Sequence, residues 1–304
     1  MTEPTTSSLS ILKRAEPHST ALHWNGQRGG LWWLNPAKHT LTTWDPASGK
    51  RIRAPLPDAG YTFCPTACGR VLIGLSKRLC LADIPERSGA RLSIVNWLAT
   101  VDALDYRTAI GNGRADRHGR FVFGTRNMSP DGHAIGSFYQ YCAETGLRRL
   151  ALPTVVAAGC ICLDLAGTRL YFADTAGAVL YRCDYDSATA TTSGVIAFAH
   201  AANGASMRDA LVDGDDGIWT AQPGASGATV VRYTNDGAVD RTVAAPRNTV
   251  AGICAYGEGL RQLLLWGDNG GLRLIDDLVM SGLEEALFDD RSIATATVLA
   301  FAPD

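Results

Sequence analysis

The side chains able to do chemistry in this chain stand just ahead of short apolar runs. They are Thr20 and His23, Cys64, Asn112, Arg208 with Asp209, and Asn248 with Thr249; Arg107, Arg126 and Asn127 lie in the same kind of stretch. Arg208 is the sharpest of them, because a guanidinium with fixed N–H donors anchors a carboxylate or polarises a carbonyl. Its alternative is an ion pair with Asp209 or another acid. Arg208 and Asp209 are the catalytic candidates; Thr20, His23, Cys64, Asn112, Arg126 and Asn248 are the candidates for contacting a substrate. Cys64, in Phe63-Cys64-Pro65, would need His18 or His23 beside it to act as a nucleophile, and otherwise packs as a small hydrophobe. Cys160 and Cys162 project to one strand face without further ligands and read as core.

These positions recur because the chain repeats. A turn residue followed by a short apolar run appears at Gly30-Leu31-Trp32-Trp33-Leu34, Gly69-Arg70-Val71-Leu72-Ile73, Gly119-Arg120-Phe121-Val122-Phe123, Thr168-Arg169-Leu170-Tyr171-Phe172, Gly217-Ile218-Trp219-Thr220 and Arg261-Gln262-Leu263-Leu264-Leu265. From Leu31 through Val71, Phe121, Leu170 and Ile218 to Leu263 the spacings are 40, 50, 49, 48 and 45, a propeller period. Each run is followed by an alternating strand, such as Thr40–Pro46 or Arg78–Asp83, and preceded by another short apolar segment, such as 158–162. The prediction is an all-β, six-bladed β-propeller of four-stranded antiparallel blades around a central channel, with 1–304 as one domain. The strand-like ends, Leu9–Leu12 and Ala294–Phe301, are expected to pair or to share the last blade, with 1–15 as a closing segment.

Composition narrows the function. The 304 residues are 46% hydrophobic and 19% charged, with 28 Lys+Arg against 30 Asp+Glu. That balance supports a sizeable core and gives no electrostatic grip on nucleic acid or an anionic membrane. The polar start, Met1-Thr2-Glu3-Pro4, lacks the form of a secretory signal, and no apolar run reaches membrane-spanning length. Eight cysteines without a CxxC pair or zinc spacing read as reduced thiols of a cytoplasmic protein. The expected partner is a small molecule entering the channel.

Four stretches resemble the SMP-30/gluconolactonase/luciferin-regenerating-enzyme family. They are Trp24–Asn35 with the turn Trp44–Gly49, Asn112–Thr125, Thr168–Thr175 and Pro246–Thr249. The likeness runs from about residue 16 to about residue 270 and is carried by the four stretches together and in order, Asn112–Thr125 resembling the family's signature. It implies hydrolysis of a sugar lactone or related ester, with one divalent cation held by a glutamate, an asparagine and an aspartate. Ungapped register puts Thr20, Ala158 and Arg208 at those three places, and Ala109 and Gly111 where the family's substrate-contacting arginine and asparagine fall. The expectation is therefore a degenerate metal site with no cofactor. Only small loop shifts, bringing in Glu16 and Asp209, would restore a cation such as calcium, zinc or manganese. The alternative function is a metal-independent binding protein for a polar or acidic ligand, or a non-hydrolytic biosynthetic enzyme using the same channel.

Overall fold

The computed structural model describes residues 9–11, 16–26, 30–225, 227–245, 250–276, 278 and 280–293. In chain order the strands begin with β1 (Leu9–Ile11), which belongs to the last blade. Blade 1 is β2 (Thr20–Asn25), β3 (Gly30–Asn35), β4 (Thr40–Trp44) and β5 (Arg51–Pro55). Blade 2 is β6 (Gly60–Pro65), β7 (Val71–Leu75), β8 (Arg78–Asp83) and β9 (Ser93–Thr100). Blade 3 is β10 (Thr108–Ala115), β11 (Phe121–Asn127), β12 (Phe138–Cys142) and β13 (Gly146–Arg149). Blade 4 is β14 (Ala158–Leu163), β15 (Arg169–Asp174), β16 (Val179–Asp186) and β17 (Thr191–His200). Blade 5 is β18 (Asp209–Val212), β19 (Ile218–Gly224), β20 (Gly227–Tyr233) and β21 (Val239–Ala245). Blade 6 joins β22 (Gly252–Tyr256), β23 (Gln262–Trp266) and β24 (Leu272–Ile275) to β1.

All six sheets are four-stranded and antiparallel, so the fold is the six-bladed propeller expected from the repeats. The apolar runs are the second strands of their blades, buried on both faces because a blade packs against a neighbour on each side. Six apolar clusters follow, each shared by two adjacent blades: Leu34, Val71 and Ile73 between blades 1 and 2, for example, and Phe172, Phe138 and Ile161 between blades 3 and 4. The N-terminal closing strand is found, with Leu9 opposite Ile275; residues 294–301 lie outside the described residues. No helix among the described residues is long and apolar enough to cross a membrane.

The turns that end the inner strands share one device. Asp116, Asp164 and Asp213 each turn a carboxylate oxygen back onto backbone N–H groups of their own turn: Arg120, Arg169 and Gly217, at 2.8, 2.9 and 2.9 Å. Blade 2 has Thr66 there, and the carboxylate arrives from 224 residues away. Asp290 accepts from the Thr66 hydroxyl and from the Cys68 N–H, both at 2.9 Å. It can do so because residues 281–290 run under the ring, contacting Gly214 in blade 5, Pro65 in blade 2 and Gly119 in blade 3. This segment floors the channel.

Candidate functional site

Each inner strand starts at the end of the ring opposite that floor, and the starts enclose a cavity of about 600 Å³. Its wall takes Thr20 and His23 from blade 1, Tyr61 and Phe63 from blade 2, Asn112 and Arg114 from blade 3, and Ala158 from blade 4. Blade 5 contributes Arg208 and Asp209, blade 6 Trp266 and Asp268, and Glu285 stands at the base.

Asp209 opens β18 and is buried. Its Oδ1 accepts the Ala210 N–H at 3.0 Å and its Oδ2 the Ile253 N–H at 3.1 Å, with Arg114 Nη2 3.7 Å from Oδ1. Burial pushes its pKa up to about 6, against the opposing pull of Arg114 and the two N–H groups. Arg114 is fully committed: Nε donates to Ile161 O at 3.2 Å, Nη2 to Ala210 O at 2.8 Å, and Nη1 to Glu285. Burial alone would raise the Glu285 carboxyl, but Arg114, with help from His23, holds it well below the usual carboxylate range. His23 Nδ1 lies 3.7 Å from Glu285 Oε2, and its ring meets the Phe63 ring edge-on.

Arg208 sits at the rim, 41% exposed, with Nη1 3.3 Å from Asp268 Oδ2; its ion-pair partner is thus Asp268 rather than the adjacent Asp209. Asn112 lies in a bulge of β10, between Ile110 and Gly113, with Oδ1 buried and unpartnered. Arg126, at the end of β11, holds its guanidinium 5.5 Å from the Tyr61 ring centroid.

Two of the sequence candidates stand elsewhere. Cys64 is outside the cavity lining, its Sγ against Pro65 O and Ala286 O at 3.2 and 3.7 Å, where burial pushes the thiol up to about 12. Strand alternation turns Phe63 to the cavity and Cys64 toward the next blade. Glu16 is also outside the lining, held by Lys38 at 3.0 Å and by Arg53. Asn248 lies outside the described residues. Arg114, Glu285 and Asp268 were not singled out in the sequence. Arg114, two residues past Asn112 on the same strand, carried a readable signal through strand alternation, whereas Glu285 follows the last repeat and carried none.

Residues 19–266 match the profile of the SMP-30/Gluconolactonase/LRE-like region. Over 283 residues the chain is 32% identical to an L-arabinolactonase of Azospirillum brasilense, covering 91% of this chain and 87% of that one. The chain belongs to the SMP-30/gluconolactonase/LRE-like family. Among solved structures, a luciferin-regenerating enzyme superposes with a TM-score of 0.83 at 15% identity, over 93% of this chain and 99% of that one. A calcium-binding regucalcin from Agrobacterium tumefaciens gives 0.78 at 20% identity, over 93% and 97%. At such identities these two likenesses concern the fold.

The three places that the family resemblance assigns to cation ligands, Thr20, Ala158 and Arg208, all line the cavity. Among the described residues, no group of three or more His, Cys, Asp or Glu side chains is arranged to hold a metal ion. Ala109, at the place of the family's arginine, is directly opposite Arg126 across the β10–β11 pair.

Proposed function

We propose that this chain hydrolyses a small lactone in the channel cavity without a bound metal, Asp209 and Arg208 carrying the chemistry. The observation that supports it is the position of Asp209: a buried carboxylate on the cavity wall, beside a guanidinium, in a chain related to an L-arabinolactonase. Asp209 takes a proton from water, and the resulting hydroxide adds to the lactone carbonyl carbon. Arg208 leaves its exposed pairing with Asp268, which is worth little in water, and donates to the developing oxyanion. The ring C–O bond then breaks, and its oxygen takes the proton back to give the hydroxy acid.

The donor set argues against a dication. Both Asp209 oxygens already accept backbone N–H groups, and the Arg114 and Arg208 guanidiniums repel positive charge at short range. Free thiols at all eight cysteines suit a reducing compartment, the cytoplasm in this reading.

The test is a panel of five- and six-carbon aldonolactones followed by acid release, with and without chelator. Hydrolysis that survives chelator and is lost in Asp209→Asn supports the reading; hydrolysis abolished by chelator and restored by calcium, zinc or manganese overturns the metal-free part. The commitment of both Asp209 oxygens favours a second reading, a binding protein for a polar or acidic ligand. Ligand affinity without turnover across the panel would establish that one.

A further inference from the structure

Three guanidinium groups line the cavity, and they differ in what they face. Arg114 is saturated by Glu285, Ala210 O and Ile161 O, and Arg208 is paired with Asp268. Arg126 is in no ion pair with a carboxylate among the described residues; its Nε is buried without a hydrogen-bond partner, and its guanidinium lies 5.5 Å from the centroid of the Tyr61 ring. A partly buried cation left this way costs free energy that a structural role would not require. The surroundings keep space beside it. Its cross-strand partner is Ala109, whose side chain ends at a methyl, and the next residue into the bulge but one is Gly111, where a Cβ would come within 3.8 Å of Arg126 Cβ. Asn112, in the same bulge, brings a second unpartnered polar atom, Oδ1, to this wall. By its place in the ring this wall, in blade 3, lies across the channel from Arg208 and Asp268 in blades 5 and 6.

We infer that Arg126 anchors a carboxylate of the ligand, so that the substrate is an acidic lactone, a ring ester bearing a second, ionised carboxyl group. This rests on the lactonase reading for the ring ester, but the carboxylate anchor itself rests only on the cavity. The planar fork of an arginine takes a carboxylate through two parallel N–H bonds, a geometry neither Arg114 nor Arg208 offers while paired. The Asn112 amide then serves a hydroxyl next to that carboxylate. Holding the acidic end in blade 3 directs the ring carbonyl toward Arg208 and Asp209.

The experiment compares D-glucaro-1,4-lactone with D-glucono-1,4-lactone, which share a ring and differ in the terminal carboxylate, and measures D-glucarate binding by calorimetry. The expected result is a preference for the acidic lactone of roughly 10- to 100-fold in kcat/KM, the size of one charge-assisted pair. Arg126→Gln removes that preference, lowering kcat/KM on the acidic lactone by the larger factor, and Arg126→Lys restores part of it. Equal rates on both lactones, or a preference that survives Arg126→Gln, overturns the anchor and leaves the hydrolase reading standing. Glucarate binding that depends on Arg126, with neither lactone turned over, upholds the anchor and overturns the hydrolase. Neither turnover nor glucarate binding by a folded protein overturns both.

Discussion

Asp213 gathers five donors at one turn: the Gly217 and Asp215 N–H groups and Arg232 Nη2 on Oδ1 at 2.9, 3.1 and 3.1 Å, and the Trp219 indole and Arg232 Nε on Oδ2 at 2.8 and 2.7 Å. Burial would raise this carboxyl, but Arg232 and the other donors outweigh burial and hold it below its ordinary value. A carboxylate whose folded pKa lies below its unfolded one stabilises the protein above the unfolded value, about 3.9, and that contribution is lost as pH falls through the folded value. The urea midpoint of the wild type should therefore drop between pH 6 and pH 3 by more than that of Asp213→Asn, which should already be about 2–4 kcal/mol less stable at pH 6. Parallel pH dependences would refute it. Asp209 differs in having room beside it for a ligand. Asp209→Asn should lower kcat by roughly 10²- to 10⁴-fold, the usual worth of a positioned base, and should cost about 1–3 kcal/mol of stability, because the amide offers one acceptor oxygen to the two backbone N–H groups of Ala210 and Ile253. Activity lost only in proportion to the fraction of protein unfolded would make Asp209 structural. Of these two aspartates only Asp209 stood out in the sequence, because position before a strand is visible there, while the reach of Trp219 and Arg232 back to Asp213 depends on the pairing of β19 with β20.

At the scale of the element, the inner-strand turns show how the same geometry is met by different chemistry. Thr66 is too short to reach the Cys68 N–H, and Asp290 from the channel floor supplies the oxygen. Asp290→Ala should cost about 2–4 kcal/mol, since it strips the partners of a buried hydroxyl and a backbone N–H. The informative comparison is Thr66→Asp. In the wild-type background it sets two carboxylates against one turn and destabilises; in Asp290→Ala it restores the arrangement of blades 3, 4 and 5 and stabilises. A double-mutant cycle by urea denaturation that shows the two changes to be additive would contradict the substitution of one carboxylate for the other. The strands themselves were legible, because apolar runs between turn residues are a local signal with a period of two. The floor was not, because 281–290 has no strand pattern and is held by contacts to residues far away in the chain, from 67 positions at Gly214 to 224 at Thr66.

The whole molecule is a ring whose blades bury apolar surface only between neighbours, so its stability depends on the last gap being closed. The repeat period made that architecture readable, since any one sheet with two apolar faces requires a partner on each side. The central chemistry was less so: Thr20, Ala158 and Arg208, which the register puts at one mouth, all line the cavity, yet Arg126 facing Tyr61 and Glu285 facing Arg114 arise only when the ring brings blade 3 against blade 2 and the floor segment under both. Closure falls on a three-residue strand, β1, pairing antiparallel with β24 and supplying the outer edge of blade 6. Without it β24 presents a bare edge, and the cluster of Leu264, Trp266 and Leu272 with Leu31 and Trp33 between blades 6 and 1 loses its outer support. Deleting residues 1–11 should lower the melting temperature by roughly 5 °C or more and should raise amide exchange first in β22–β24, with blades 3 and 4 protected as before. Uniform loss of protection around the ring would mean that the blades unfold as one unit and that closure is shared by all of them. Exchange confined to β24 alone would mean that the contact between blades 6 and 1 closes the ring without the strand.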